Sequence, residues 1–290
     1  MASALRLLPL VVLLGSAWPL TAAIEDGLVV TQRARAVAPG EVVALTVTAP
    51  AAVVSVEGVW RDRPLVFVRN ADASWQALIG LDVEEAPGPR NLRLVARRTG
   101  AADLAAVHAF TVEPKQWRTR RLTVAPRFVT PPASALPRIK EETALLNALF
   151  RDARAERLWD GPFERPVAGV AVSGFGVRSV LNGQPRGPHN GADFAAGTGT
   201  PIVAPAGGVV AYAREFYYSG NTVVLDHGFG LYSTMAHMSA FDVQEGARVA
   251  RGQLLGKVGA TGRVTGPHLH WSVRVNGARV DPESLLAAIE

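Results

Sequence analysis

The 290-residue sequence contains no cysteine, and this absence removes several kinds of chemistry at once. Disulfide bonds, thiolate metal sites and lipid attachment through cysteine are all excluded. No His-Glu-x-x-His segment is present either, so a zinc-binding helix that supplies a glutamate base is excluded. A chain of this length is nevertheless long enough for two domains, each stabilised by burial in its own core.

Long apolar runs are scarce, and the one near the N-terminus resembles an export signal. Arg6 provides a positive flank, residues 7–14 provide the apolar run, and Thr21-Ala22-Ala23 provides a small-residue cleavage site. We therefore predict a signal peptide over residues 1–23, cleaved after Ala23, and a protein exported to the periplasm or cell envelope. An uncleaved membrane anchor is the alternative, because residues 7–24 approach the roughly 20 residues that span a membrane.

Lysine is also scarce, since only Lys115, Lys140 and Lys257 occur, so the net charge of +5 comes mostly from arginine. This charge favours contact with an anionic envelope surface, although a general preference for arginine explains it equally well. No segment resembles a nucleic-acid-binding module, so nucleic acid is not an expected partner. The sequence makes no prediction of oligomeric state.

Residues 24–113 alternate between apolar and polar residues in short runs that are separated by turns. Val43, Leu45 and Val47 share one face of such a run, and residues 91–96 repeat the pattern. This rhythm predicts an N-terminal antiparallel β-sandwich that is immunoglobulin-like (Ig-like). His108 lies on one of the predicted strands, and we expect it to be structural.

Five prolines mark residues 114–137 as a linker, namely Pro114, Pro126, Pro131, Pro132 and Pro137. Its arginines at 118, 120, 121 and 127 have no acidic residue between them; a solvated run is the simplest interpretation, and contact with wall polymer is the alternative. Residues 138–160 are predicted to form an amphipathic linker helix, because apolar residues recur there at three- and four-residue steps. We expect its apolar stripe to pack against one of the two domains.

Residues 161–290 form a second mainly β region, a predicted antiparallel sheet or sandwich, whose chemistry converges on a pair of histidines near its end. Alternation predicts a strand in which His268 and His270 share a polar face, while Leu269 and Trp271 face the core. Two imidazoles at this spacing can point into one pocket. The arrangement suits one metal ligand beside one acid–base group.

A second pair of donors lies upstream, where His189-Asn-Gly-Ala-Asp193 places an imidazole and a carboxylate four residues apart. Nitrogen and oxygen donors suit zinc, and three protein ligands with an open fourth position are typical of a catalytic site with a bound water as nucleophile. Spacing alone leaves His268 and His270 interchangeable as the third ligand. We expect His227 to be a turn residue, because a three-ligand site is already complete without it.

A further histidine, His237, lies on a predicted strand over residues 231–238. Alternation predicts that it shares a face with Leu231, Ser233 and Met235.

These motifs together resemble the lysostaphin-type zinc metallopeptidases, the LytM-domain family, over roughly residues 166–286. Besides the histidine motifs, the glycine-rich segments 197–201, 204–208 and 259–267 carry the resemblance. The family often has Tyr-x-His-Leu where this chain has Met235-Ala-His237-Met238, a change that conserves size and polarity. The resemblance implies that one Zn²⁺ is bound by His189, Asp193 and His270, and that His237 and His268 are the catalytic residues.

The same resemblance implies a zinc-dependent metalloendopeptidase that hydrolyses peptide cross-links or stem peptides of bacterial peptidoglycan. One alternative is a non-catalytic LytM-type regulator that binds the cell wall and activates an amidase. Such relatives typically lack one or more ligands, and this chain lacks none. Another alternative is an enzyme that is held inactive by its own N-terminal sandwich.

Overall fold

A computed structural model describes residues 22–25, 27–126 and 129–289. The predicted signal peptide lies outside the described residues as far as residue 21, and the predicted cleavage point after Ala23 falls within the first strand. No helix in the described ranges is long and apolar enough to cross a membrane.

The N-terminal region consists of nine strands in two antiparallel sheets. The strands are β1 (Ala22–Glu25), β2 (Leu28–Arg33), β3 (Val42–Thr48), β4 (Val53–Trp60), β5 (Arg63–Leu65), β6 (Val68–Arg69), β7 (Trp75–Gly80), β8 (Gly88–Arg98) and β9 (Leu104–Val112). The sheet orders are β1-β2-β3-β7-β6 and β5-β4-β8-β9. Leu45 and Ile79 from the first sheet and Leu92 from the second are buried in one shared core. The antiparallel β-sandwich is therefore confirmed, whereas its Ig-like character stays a prediction.

His108 is completely buried within this sandwich. Its Nε2 lies 2.8 Å from Oε1 of Gln32, which pairs one of its two ring nitrogens inside the core. This environment agrees with the structural role that we expected for it.

The segment between the two β regions contains β10 (Thr119–Leu122), a 3-10 turn (Ala133–Ala135) and α1 (Leu136–Leu149). The prediction of a helix over residues 138–160 is wrong at its C-terminal end, because α1 stops at Leu149. Beyond the helix, the backbone pairs with a turn of the C-terminal region: Phe229 N donates to Arg154 O at 2.7 Å, and Leu158 N donates to His227 O at 2.9 Å. These tertiary bonds hold the segment out of helical geometry. No residue of α1 is fully buried, so its apolar stripe packs only partly.

The C-terminal region contains thirteen further elements, which are β11 (Ala171–Ser173), β12 (Arg178–Leu181), β13 (Gln184–Pro185), β14 (Gly191–Phe194), β15 (Pro201–Val203), β16 (Gly208–Phe216), β17 (Gly220–Asp226), β18 (Leu231–Phe241), β19 (Arg248–Val249), β20 (Leu254–Val258), β21 (Leu269–Val275), β22 (Ala278–Val280) and α2 (Pro282–Ala288). The main sheet has the order β11-β14-β21-β18-β17-β16-β19, with β20 also on β18, β15 on β20 and β22 on β21. Its pairs are antiparallel, which confirms a mainly β fold.

The predicted linker also contributes a strand, because β10 pairs in parallel with β12, which in turn pairs with β13. This small sheet lies beside the main sheet and leads directly into the loop before β14. The sequence did not predict this strand, because the prolines and arginines of residues 114–137 indicated a linker.

The two β regions pack against each other through a continuous apolar core. Val42 and Leu78 of the sandwich belong to the same buried cluster as Val275 and Leu285 of the C-terminal region. Polar contacts reinforce the interface, for example Val42 N donating to Ser284 Oγ at 2.8 Å. The sandwich and the C-terminal sheet are thus joined by buried contacts as well as by the chain between them.

Candidate metal centre

Strand register brings two of the predicted ligands together at one point of the main sheet. Asp193 on β14 lies directly opposite His270 on β21, and the other neighbour of His270 is Ala236 on β18. His189 enters from the loop before β14, and two backbone bonds hold it against the segment before β12: His189 N donates to Val177 O at 2.9 Å, and Gly176 N donates to His189 O at 2.8 Å. Strand pairing and one loop therefore bring residues that are far apart in the sequence together, without a zinc-binding helix.

Three donor atoms converge at this point. Oδ1 of Asp193 lies 2.9 Å from Nδ1 of His270 and 3.1 Å from Nε2 of His189. The two ring nitrogens are 3.2 Å apart. Ligand atoms of these three residues all lie within 4.8 Å of one another, which is the closeness required to coordinate one metal ion.

Backbone carbonyls fix the orientation of three imidazoles around the site. Nδ1 donates to a carbonyl oxygen in His189 (Gly174, 3.0 Å), in His237 (Thr261, 2.9 Å) and in His268 (Gly266, 2.9 Å). A histidine that donates one ring N–H to a carbonyl presents the other nitrogen in a defined orientation, as metal-ligating histidines usually do. His270 differs, because its Nδ1 is the nitrogen that faces Asp193.

The electrostatics of the cluster favour a cation. Burial would raise the pKa of Asp193, but hydrogen bonds from His189 and His270 outweigh it and lower that pKa far below the usual range. Burial would also lower the pKa of His189, yet its hydrogen bond and charge interaction with Asp193 raise it on balance. Burial lowers the pKa of His270. Asp193 is thus a permanent anion that draws positive charge to this point.

The donor set fits a zinc ion. One carboxylate oxygen and two imidazole nitrogens are typical zinc ligands, and three protein ligands leave a coordination position for solvent or substrate. His189 has the carbonyl support that zinc-binding histidines commonly show. The described residues therefore bring together the three predicted donors in a group that could bind one metal ion.

His237 and His268 form a second pair beside the ligands. Their ring centroids are 4.9 Å apart, and the His237 ring is 6.0 Å from that of His270. Nε2 of His268 lies 3.7 Å from Oδ1 of Asp193, too far for a direct hydrogen bond. Burial, followed by repulsion from His270, lowers the pKa of His237 to about 4, so this ring is neutral at pH 7 and can accept a proton.

The backbone places His237 differently from the prediction. Regular alternation would put it on the core face with Met235, which lies opposite the buried Trp271. The pairing of β17 with β18 instead shifts register between Met235 and Met238, and His237 adopts a left-handed φ of 64°. This bulge turns the imidazole to the side of His268. The expectation that His237 shares a face with the core residues is therefore wrong.

Gly191 allows β14 to approach the His270 ring closely. A Cβ atom at residue 191 would lie 2.5 Å from Trp271 O and 2.7 Å from Cε1 of His270. Only a residue without a side chain fits here, so Gly191 is part of the site.

His227, Tyr232 and Tyr218 are not among the three donors of this cluster. His227 is fully buried in its turn, where Nδ1 donates to Gly207 O at 2.7 Å and its ring meets the edge of Phe163. Tyr232 is also buried, and its hydroxyl donates to Asp152 O at 2.7 Å. Tyr218 remains more than one-third exposed and lies under the Arg263 guanidinium, 4.3 Å from ring centroid to Cζ.

The carbonyl oxygens of Gly174, Thr261 and Gly266, which hold the imidazoles, could not be predicted from the sequence. Two of them lie in the glycine-rich segment 259–267, which carried the resemblance to a family. Its hydrogen-bonding role had no sequence signal, because every residue type carries a carbonyl.

The fold and the cluster define a mainly β protein in which two histidines and one aspartate form a group that could bind one metal ion. Residues 187–282 match the model of peptidase family M23. A crystal structure from Pseudomonas aeruginosa that is assigned to peptidase M23 is 32% identical, covers 87% of this chain and 96% of that chain, and superposes with a TM-score of 0.63. The chain belongs to peptidase family M23.

Curated relatives match over the C-terminal region. Peptidoglycan DD-endopeptidase ShyA of Vibrio cholerae is 47% identical over 94 residues, which is 32% of this chain and 22% of the relative. DD-carboxypeptidase/endopeptidase Mpg of Neisseria meningitidis is 45% identical over 97 residues, which is 33% of this chain and 22% of the relative. The matched part thus spans about a fifth of the length of each of these two proteins.

Proposed function

We propose that this protein is a zinc-dependent metalloendopeptidase that hydrolyses peptide bonds in bacterial peptidoglycan. The observation that carries the proposal is the convergence of His189, Asp193 and His270 within coordination distance, with two further imidazoles beside them. A regulator would need neither a complete ligand set nor a second histidine pair. Both are present.

When bound by these three ligands, Zn²⁺ supplies Lewis acidity, which lowers the pKa of a coordinated water and polarises a scissile carbonyl. Protein residues would supply proton transfer and the stabilisation of developing charge. His237 is neutral at pH 7 and has its Nδ1–H engaged by Thr261 O, so its Nε2 is available to take a proton from the attacking water. His268 has the same backbone support from Gly266 O.

Nε2 of His268 lies 3.7 Å from Oδ1 of Asp193, so this nitrogen faces the proposed ligands. Between them, His237 and His268 would stabilise the developing oxyanion and pass the proton taken from the water on to the leaving amine. Both imidazoles are preoriented by carbonyls, so little reorganisation is needed when charge develops. The candidate site therefore has two ligands on one strand pair and a third on the loop before it, with the proposed acid–base groups at the β18 bulge and just before β21.

The proposed substrate class is based on the names of the curated relatives. ShyA carries the name peptidoglycan DD-endopeptidase, and we propose the same class of peptidoglycan bond for this chain. The net charge of +5 suits an anionic envelope environment. Together with the predicted signal peptide, the proposal places the protein in the periplasm or cell envelope.

Zinc content and product release test the proposal together. His189→Ala should lose both zinc and activity, because one of three ligands is gone. His237→Ala should keep near-stoichiometric zinc and lose activity by about 100-fold or more. The measurements are metal analysis of the purified protein, and mass spectrometry of peptides released from isolated peptidoglycan.

Two results would contradict the proposal. Wild-type protein that binds zinc but releases no peptide, while stimulating an amidase, would identify a regulator. Near-normal turnover by His237→Ala would remove His237 from the mechanism. Circular dichroism of each variant checks that the fold is retained.

A further inference from the structure

Thr261 connects the imidazole of His237 to the two strands that form the bulge. Its hydroxyl donates to Met238 O on β18 at 2.8 Å and accepts a hydrogen bond from Asn221 N on β17 at 2.9 Å. Its own carbonyl oxygen accepts the Nδ1–H of His237 at 2.9 Å. One residue of the glycine-rich segment 259–267 therefore bonds to the bulge through its side chain and to the imidazole through its backbone.

The hydroxyl acts at the step where the strand pairing shifts. Asn221 and Met238 lie opposite each other, and the register shifts between this pair and Val223. A bulge of this kind disrupts the ladder of backbone hydrogen bonds. A hydroxyl can donate and accept at the same time, so Thr261 serves a carbonyl of one strand and an N–H of the other. The bulge is thus tied directly to Thr261.

Backbone atoms enclose Thr261 closely. A Cβ atom at residue 220, where glycine has a φ of 61°, would overlap the carbonyl carbon and the hydroxyl oxygen of Thr261. A Cβ atom at residue 262 would overlap Gly220 N. The turn before β17 also holds the backbone of His237, because His237 N donates to Ser219 O at 2.8 Å. The backbone and the ring of His237 are therefore held by two loops that meet at Thr261.

This close fit makes the hydroxyl difficult to replace. A methyl group in its place would stand 2.8 Å from Met238 O and 2.9 Å from Asn221 N. Non-bonded carbon atoms normally keep a separation of about 3.5–4.0 Å. Residue 261 would have to move away from both strands, and its carbonyl would move with it. The hydrogen bond that orients His237 therefore depends on the Thr261 hydroxyl.

We propose that Thr261 is a positioning residue for His237. Its hydroxyl fixes the carbonyl that accepts Nδ1–H, and this bond leaves Nε2 as the nitrogen that takes the proton. Displacing a catalytic group by about 1 Å can cost about 100-fold in rate, so a residue that touches neither substrate nor metal can still control turnover. The inference rests on the proposed peptidase function and adds to it a residue that acts through His237.

The test uses three substitutions that separate the hydroxyl from the rest of the side chain, with kcat and KM measured on a synthetic cross-linked stem peptide. Thr261→Ser keeps the hydroxyl, and its kcat should stay within about threefold of wild type. Thr261→Val keeps the shape but loses the hydroxyl, and should lower kcat about 10- to 100-fold. Thr261→Ala should resemble Thr261→Val, because it also lacks the hydroxyl although it cannot overpack. KM and zinc content should remain near the wild-type values in all three.

Thr200→Val is the matched control. The Thr200 hydroxyl also donates to a backbone carbonyl at 2.8 Å, that of Gly197, and both threonines are partly buried. The kcat of this variant should equal that of wild type. Circular dichroism and urea denaturation check that every variant is folded at the temperature of the assay.

A packing role for Thr261 predicts the opposite order of activities. If only the methyl group mattered, Thr261→Val would be fully active and Thr261→Ser would be impaired. That order, or wild-type activity of Thr261→Ala, would overturn the proposal and leave the peptidase function intact.

NMR separates the positioning role from the peptidase function. If the wild-type protein cleaves neither the synthetic peptide nor isolated peptidoglycan, the peptidase function is wrong, and protein with isotope-labelled histidine tests the role of Thr261 directly. The His237 ring, assigned by comparison with His237→Ala, should be a single Nδ1–H tautomer whose proton exchanges slowly with water. Thr261→Val should speed this exchange at least tenfold, and Thr261→Ser should not. Unchanged exchange in Thr261→Val would rule out the positioning role.

Discussion

His237, for which we propose an acid–base role, has an unusual backbone conformation. It has a φ of 64° inside a strand, a conformation that costs a non-glycine residue of order 1 kcal/mol. The surrounding bonds maintain it: His237 N donates to Ser219 O at 2.8 Å, and its ring donates to Thr261 O. The strain serves to aim the imidazole at His268 rather than into the core.

This conformation predicts an inverted order of stability between two variants at residue 237. In an ordinary strand alanine is more stable than glycine, but at positive φ glycine carries no Cβ penalty. We expect His237→Gly to be about 1 kcal/mol more stable to unfolding than His237→Ala, with both inactive. Urea denaturation of the two variants measures the difference. Alanine equal to or above glycine would show that the backbone is not left-handed at this residue.

At the residue scale, the sequence predicted which side chains lie together at the candidate site but not how each is oriented. His189, Asp193 and His270 lie in regular strand pairing or directly before it, so their spacing and the family resemblance were sufficient. His237 lies at a bulge, and a bulge leaves no mark in the alternation of apolar and polar residues. Its orientation depends on the shift in pairing between β17 and β18, which only the assembled sheet reveals.

At the scale of elements, the distance between β14 and β21 controls the metal centre. Gly191 lies opposite Ser272 and against the His270 ring, with no room for a methyl group. The strands therefore meet at a separation that only glycine permits. This close contact limits where the His270 ring can lie.

Gly191→Ala should separate these strands and weaken metal binding. The added Cβ would lie 2.5 Å from Trp271 O, and overpacking of this kind costs about 1–3 kcal/mol. We expect a lower free energy of unfolding and at least tenfold weaker zinc binding, measured by denaturation and by competition with a chelator. Gly197→Ala is the control, since a Cβ there has no atom within 4 Å. Equal zinc affinity in the two variants would contradict a close approach at residue 191.

The segment between the β regions shows what sequence could not predict at this scale. The helix was expected to reach residue 160, because its apolar periodicity continues, but hydrogen bonds with the 226–229 turn end it sooner. β10 was assigned to a linker on its prolines and arginines. Trp117, just before it, packs edge-on against Phe175 and donates to Val83 O at 3.2 Å. The segment thereby ties the sandwich to the loop that carries Gly174, a contact between residues distant in sequence.

At the scale of the whole molecule, a buried carboxylate links the sandwich to the C-terminal helix. Glu41 is 2% exposed and pairs with Arg35 at 2.8 Å and with Lys115 at 2.7 Å, while Arg35 also reaches Asp281 at 2.7 Å. Burial would raise the pKa of Glu41, but the hydrogen bonds from Arg35 and Lys115 lower it on balance. The ion pairs therefore stabilise the folded state in which both regions are docked.

A depressed carboxyl pKa gives this contribution a defined pH dependence. The stabilisation is complete above the ordinary value of 4.5 and is lost as the pH falls through the lower value of the folded state. At pH 7 we expect Glu41→Gln to cost about 2–4 kcal/mol, and the difference from wild type should shrink toward pH 3. Glu57→Gln, which removes an exposed pair with Arg97, should have little effect at either pH. A pH-independent cost for Glu41→Gln, measured by urea denaturation, would rule out the ionised pair as its cause.

The continuous core between the two regions predicts that they unfold together. Val42 and Leu78 of the sandwich share a buried cluster with Val275 and Leu285, so separating the regions exposes apolar surface on both. Calorimetry of the metal-free protein should show one transition with equal calorimetric and van't Hoff enthalpies. Leu45→Ala in the sandwich core and Leu225→Ala in the C-terminal core should each lower that single transition, because each removes a fully buried side chain worth about 2–5 kcal/mol. If instead Leu45→Ala shifted one of two resolved transitions and Leu225→Ala the other, the regions would be independent folding units. The docked arrangement that brings Trp117 against Phe175 would then depend on the ion pairs alone.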